Sequence, residues 1–101
     1  MNEKERHNFI IEQYKQDERM MVLAFAQWCI NENLDPLALY REAYPDQPNN
    51  DLLDNAIEET VSAKQAEKIS HESIMQLLHM FGNDDLAYVV QAAYTSRRRQ
   101  K

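Results

Sequence analysis

Ten of the eleven residues from Met20 to Ile30 are apolar, and Gln27 is the single exception. A helix that is hydrophobic on every side has to be covered on every side. The run is also far shorter than the roughly 20 apolar residues needed to cross a bilayer. These two facts predict a core helix about which the rest of the chain packs.

Upstream, Ile10 and Tyr14 share a narrow helical arc with Met21, Phe25 and Trp28, and no Pro or Gly interrupts Glu3 to Asn31. The spacing predicts one continuous helix over 3–31, or two coaxial segments, roughly 43 Å long at 1.5 Å per residue. That exceeds the need of a small domain. Its first turns would project and want cover, either from a later helix or from a second copy, and the homodimer contact would then be Phe9, Ile10, Ile11 and Tyr14.

Asp35-Pro36 signals a second helix start, with Asp35 as N-cap and Pro36 in the first turn. Its apolar arc is Leu37, Leu39, Tyr40, Ala43 and Tyr44, and Pro45 and Pro48 close it. A third helix is expected from Asn50 or Asp51 to about Lys68, burying Leu53, Ala56, Ile57 and Val61. Ser70 can cap a fourth, with Ile74, Leu77, Leu78 and Phe81 buried. Gly82, the sole glycine, suits a left-handed helix end. Asn83 or Asp84 then caps a fifth helix, buried through Leu86, Val89, Val90 and Ala93 and fraying from Ser96. The fold expected is all-α: a single small orthogonal bundle of about five helices spanning 1–96, with 97–101 a basic flexible tail.

Composition agrees, because one Gly and three Pro in 101 residues leave few turns for a sheet. The single Cys29 lies in the most apolar stretch, which suits a reducing compartment. The N-terminus mixes charges and is followed by no signal-like run, so a cytoplasmic protein is expected.

The net charge of −6 disfavours general affinity for nucleic acid or anionic lipid. It is unevenly distributed, with eight acids and one Arg from Asn31 to Thr60, and then Arg97, Arg98, Arg99 and Lys101 at the end without an acid. One glycine leaves no phosphate-cradling loop, Cys29 has no activating neighbour, and Glu58-Glu59 belong to a polar face. His71 and His79 stand eight residues apart, not at ligand spacing. No enzyme, metal or cofactor is expected.

What remains is a surface for partners. Tyr88 should point away from the core, Leu39 lies at the edge of its arc, and Asp54, Glu58 and Glu59 supply negative charge. Together they predict a non-enzymatic adaptor or regulator that binds another protein, with the acids favouring a basic one, since aromatic anchors and charge complementarity both serve association. The alternative is nucleic-acid binding by a helix-turn-helix made of the last two helices, with Arg97, Arg98, Arg99 and Lys101 on phosphates. Asp84 and Asp85 at the head of the would-be recognition helix oppose that reading. A third reading, mimicry of nucleic acid by the acidic surface, asks for more charge than this chain carries.

Overall fold

The computed structural model describes residues 3–47 and 50–99, with side chains described for 9–47 and 50–97. Its elements are α1 (Glu3–Tyr14), α2 (Glu18–Asn31), α3 (Pro36–Ala43), α4 (Asp51–Glu59), α5 (His71–Met80) and α6 (Asp84–Arg99), with no strand among the described residues. The chain folds as an all-α bundle. Its radius of gyration of 12.9 Å is that of a well-packed domain of about 100 residues. No helix among the described residues is long and apolar enough to cross a membrane.

The apolar run forms nearly the whole of α2, and this helix packs against α1, α3, α4 and α5. Four neighbours explain why apolar residues occupy all its sides. Trp28 is 1% exposed, and Phe25, Ala24, Ala26 and Cys29 are equally enclosed. The remaining helix, α6, joins through α3 and α5.

The first predicted helix is divided in two. Asp17 adopts extended backbone (φ −162°, ψ 174°), and its carboxylate accepts from the Met20 amide at 2.9 Å. An aspartate at this position offers the first amides of α2 a better partner than a continued helix would. The apolar phase survives the break, so periodicity alone allowed either one helix or two segments, and the structure has two. α1 packs on α5 as well as α2, so Ile10, Ile11 and Tyr14 are buried by the chain's own later elements.

α2 and α5 end alike. Leu34 N–H bonds Cys29 O at 2.7 Å and Asn33 N–H bonds Ile30 O at 3.1 Å, with Asn33 left-handed at φ 59°. Asn83 N–H bonds Leu78 O at 2.8 Å and Gly82 N–H bonds His79 O at 3.0 Å, with Gly82 at φ 74°. Both are Schellman turns, and the second fulfils the expectation for Gly82.

The third predicted helix stops early, at Glu59 and not near Lys68. The reason is Gln27. Its Oε1 accepts from Val61 N–H at 3.0 Å, while Nε2 donates to Val61 O at 2.9 Å and to Asn31 Oδ1 at 3.0 Å. Asn31 Nδ2 in turn donates to Glu67 O at 3.3 Å. The one polar residue of the apolar run thus takes both backbone groups of Val61, and a helix through Val61 would need those groups for itself. Ile69 then enters the core and Ser70 caps α5, its Oγ accepting from Ser73 N–H at 3.0 Å.

Gln27→Leu leaves this pairing unmade at a site only 6% exposed, and a loss of about 1–3 kcal/mol is expected. Chemical denaturation measures the loss, and native-state hydrogen exchange should speed up first at residues 61–69. Uniform acceleration over the whole chain would show that the contact does not hold this segment in particular.

Candidate interaction surface

Burial of Leu86, Ala87, Val89 and Val90 fixes the orientation of α6. Tyr88 stands at the centre of the opposite arc and is 77% exposed. One turn before it are the exposed Asp84 and Asp85, and one turn after it the exposed Gln91 and Ala92. The two carboxylates occupy the first turn of α6, where the positive end of the helix dipole favours them. Sequence reasoning cited this pair only as an obstacle to phosphate and did not place it in the surface with Tyr88.

Leu39 does not belong to that surface. It is 9% exposed, because α3 is packed by both α2 and α6 and even the edge of its apolar arc is covered. The outward residues of α3 are Ala38, Arg41 and Glu42.

Asp54, Glu58 and Glu59 are exposed on α4, and Asp51 continues the stripe at the N-terminal end. The salt bridges among the described residues are Lys15 with Glu12 at 2.7 Å and His79 with Asp84 at 2.8 Å, so none of the four α4 acids is paired with a described residue. Their stripe packs by its other side on α2 through Leu53 and Ala56. α4 and α6 share no extensive interface, so Tyr88 and these acids are not adjoining parts of one helix pair.

A pocket lies between the helices, and neither Tyr88 nor any of these acids lines it. Glu18, Met21, Val22 and Phe25 of α2, Tyr40 of α3, Asn50 and Leu53 at the start of α4, and Asn83 and Leu86 at the start of α6 line a small pocket of about 30 Å³ that opens to solvent. Its polar edge is ordered by hydrogen bonds. Asn50 Oδ1 caps α4 by accepting from Leu52 N–H at 2.9 Å, and Asn50 Nδ2 donates to the Tyr40 hydroxyl at 3.1 Å. That hydroxyl donates to Gln47 Oε1 at 3.0 Å. The Tyr44 hydroxyl donates to Asn83 Oδ1 at 3.0 Å, and the Tyr40 and Tyr44 rings meet edge to face at 5.1 Å. Burial first, and then the charge of Asp85, raise the Tyr44 hydroxyl above its ordinary value.

The other predicted residues are dispersed. Of the expected dimer contact only Phe9, 48% exposed, lies on the surface, because Ile10, Ile11 and Tyr14 are spent on the chain's own core. α6 continues through Arg97, Arg98 and Arg99, so helix replaces the expected frayed tail there; Lys101 lies outside the described residues. His71 stacks flat on Tyr94 with centroids 4.0 Å apart and its Nε2 lies 2.6 Å from Gln91 Oε1, whereas His79 faces Asp84. The two imidazoles therefore serve separate contacts, and no metal-ligating group of three occurs among the described residues. Burial pushes the Cys29 thiol far above the usual range, with Asp35 and Glu32 adding to the effect. A thiol so held is not a nucleophile at neutral pH.

Burial, and then the nearby Glu67, raise the Tyr14 hydroxyl above 10.0 as well. A folded-state value above the unfolded one means that stability is full below the unfolded pKa and is lost as pH rises through the folded one. Denaturation midpoints followed upward from neutral pH should begin to fall near pH 9, where the unfolded Cys29 thiol ionises, and more steeply near pH 10, and Tyr14→Phe should flatten the later part of that fall. An unchanged slope in the variant would remove Tyr14 as its source.

A family model described as YxiS matches residues 2–95, and the chain belongs to that family. A relative from Bacillus subtilis (strain 168), named "Uncharacterized protein YxiS", is 43% identical over 100 residues, which cover 98% of this chain and the whole of that protein. No solved structure matches significantly.

Proposed function

We propose that this member of the YxiS family is a non-enzymatic protein-interaction module, an adaptor or regulator that binds a basic segment of another protein through its acidic, tyrosine-bearing helical surface. The observation that carries the reading is Tyr88, a large amphipathic ring 77% exposed on a helix face headed by Asp84 and Asp85. A tyrosine ring held on a rigid helix loses little entropy on binding and offers both apolar area and a hydroxyl, which suits an interface anchor. The exposed stripe of Asp51, Asp54, Glu58 and Glu59 supplies the field that steers a cationic partner. Binding would act by occlusion or tethering of the partner, and the setting consistent with a buried free thiol is the cytoplasm.

The tight α5–α6 turn and the arginines late in α6 support the alternative, nucleic-acid contact by a helix-turn-helix. Against it stand Asp84 and Asp85, which occupy the position from which a recognition helix would reach base edges.

The experiment is purification of the tagged chain from its own cells, with and without nuclease. A stoichiometric protein that survives nuclease is expected. Its affinity should fall about tenfold with Tyr88→Ala and fall again with Glu58→Lys and Glu59→Lys, and rising salt should weaken it. Recovery of nucleic acid, or a partner indifferent to all three changes, would overturn the proposal.

A further inference from the structure

α6 carries opposite charges at its two ends. Its first turn holds Asp84 and Asp85, and its last holds Arg97, Arg98 and Arg99. Because the helix runs unbroken through Arg99, both groups stand in one register. At 3.6 residues per turn, the two aspartates, Tyr88, Gln91, Ala92 and the positions of Arg98 and Arg99 share one side of the helix. Arg97 falls on the other side, toward the core, and is half-buried. α3 and α5 pack on that inner side, where Leu86, Ala87 and Val90 are buried. On the outer side Asp84, Asp85, Tyr88, Gln91 and Ala92 are all exposed. Asp84 keeps 74% of its side chain open even beside His79, and Asp85 forms no ion pair with a described residue.

A charge gradient along a helix face selects the direction of a helix laid against it. Two copies of α6 side by side in parallel would set carboxylates against carboxylates and guanidinium groups against guanidinium groups. Laid antiparallel, the same two helices place each pair of aspartates opposite a pair of arginines, at both ends of the contact at once. A two-fold axis generates that direction from identical chains. Asp84 stands seven residues before Gln91 and Arg98 seven after it, so an axis at Gln91 brings these positions opposite each other. The same axis lays Tyr88 of each copy over Ala92 of the other, a large ring against a single methyl group.

We propose that α6 pairs with α6 of a second copy, antiparallel and two-fold, through the face centred on Tyr88 and Ala92. The inference goes beyond the interaction-module reading and does not rest on it, since pairing needs no other protein. It does set a competition, because the paired form covers Tyr88 against any foreign basic segment. A single helix face on each side falls short of the roughly 1,200 Å² that stable interfaces bury. The net charge of −6 on each copy also opposes approach. The pair is therefore weak, and its population rises with concentration.

The test is sedimentation equilibrium of the full chain up to its highest soluble concentration, repeated with charge-reversed variants. A monomer–dimer equilibrium is expected for the wild type. Asp84→Arg with Asp85→Arg, and separately Arg98→Glu with Arg99→Glu, should each weaken it about tenfold or more. An equimolar mixture of the two variants should restore it, as a one-to-one heterodimer at least as tight as the wild-type pair. Tyr88→Ala should weaken the dimer about tenfold. Ala92→Arg should abolish it, and because Ala92 is exposed this variant keeps the test valid even where a charge reversal does not fold. A wild type that stays monomeric throughout, or a dimer that persists in Ala92→Arg or in either reversal, would overturn the pairing. So would a mixture that fails to associate although both variants melt as the wild type does. A monomer whose cellular partner is lost on Tyr88→Ala would overturn the pairing while sustaining the partner surface. A dimer that obeys the reversals, beside a partner indifferent to Tyr88→Ala, would sustain the pairing and remove Tyr88 from the partner interface.

Discussion

Enclosure of α2 is the constraint from which the other packing follows. A helix apolar on all sides and only 14 residues long needs neighbours in every direction, and α1, α3, α4 and α5 supply them. Enclosure leaves a difficulty at Gln27, whose amide would be costly to bury alone. It is resolved by giving that amide the peptide group of Val61, so the segment between α4 and α5 is drawn across α2 as the partner of its one polar side chain. A requirement for hydrogen-bond satisfaction thereby fixes where α4 ends.

Much of the fold was legible in the residues. Asp35 and Ser70 cap helices as their types and contexts suggested, α4 starts where Asn50 or Asp51 was expected to begin it, and Gly82 takes the left-handed turn that its uniqueness invited. Two of the boundaries that differed share a physical cause. Asp17 breaks a run whose apolar phase continues unbroken, and Val61 leaves a helix whose periodicity would have carried it further. In both cases a hydrogen bond overrode the apolar pattern, and the bond to Val61 comes from 34 residues away. Pattern reading senses faces; it does not sense a distant amide.

The candidate surface was legible in a similar way. The exposure of Tyr88 follows from the arc of its own helix, and the α4 acids follow from theirs. Leu39 was misjudged because the edge of a helix's arc becomes surface or core according to how many helices pack on it, and α3 has two such neighbours. The pocket had no signature of its own in the chain. Each contributing cap is visible as a local motif, but their convergence depends on tertiary packing.

The clasp between Gln27 and Val61 borrows the pairing of adjacent β-strands, in which one residue turns both its N–H and its C=O toward its neighbour. Such pairing has a register. Sliding the segment by one residue would turn both groups away from the amide, so Val61 has a fixed seat on α2, and the Glu67 carbonyl has another one turn along at Asn31. Between those seats the chain makes only a local turn closed on Ser62, with its side chains largely in solvent. Length is therefore rationed unevenly over the segment. Residues added between Ser62 and Ala66 would lengthen an arch whose footings stay in place, at the small entropic cost of a longer loop. The same residues added before Val61 would unseat the arch altogether.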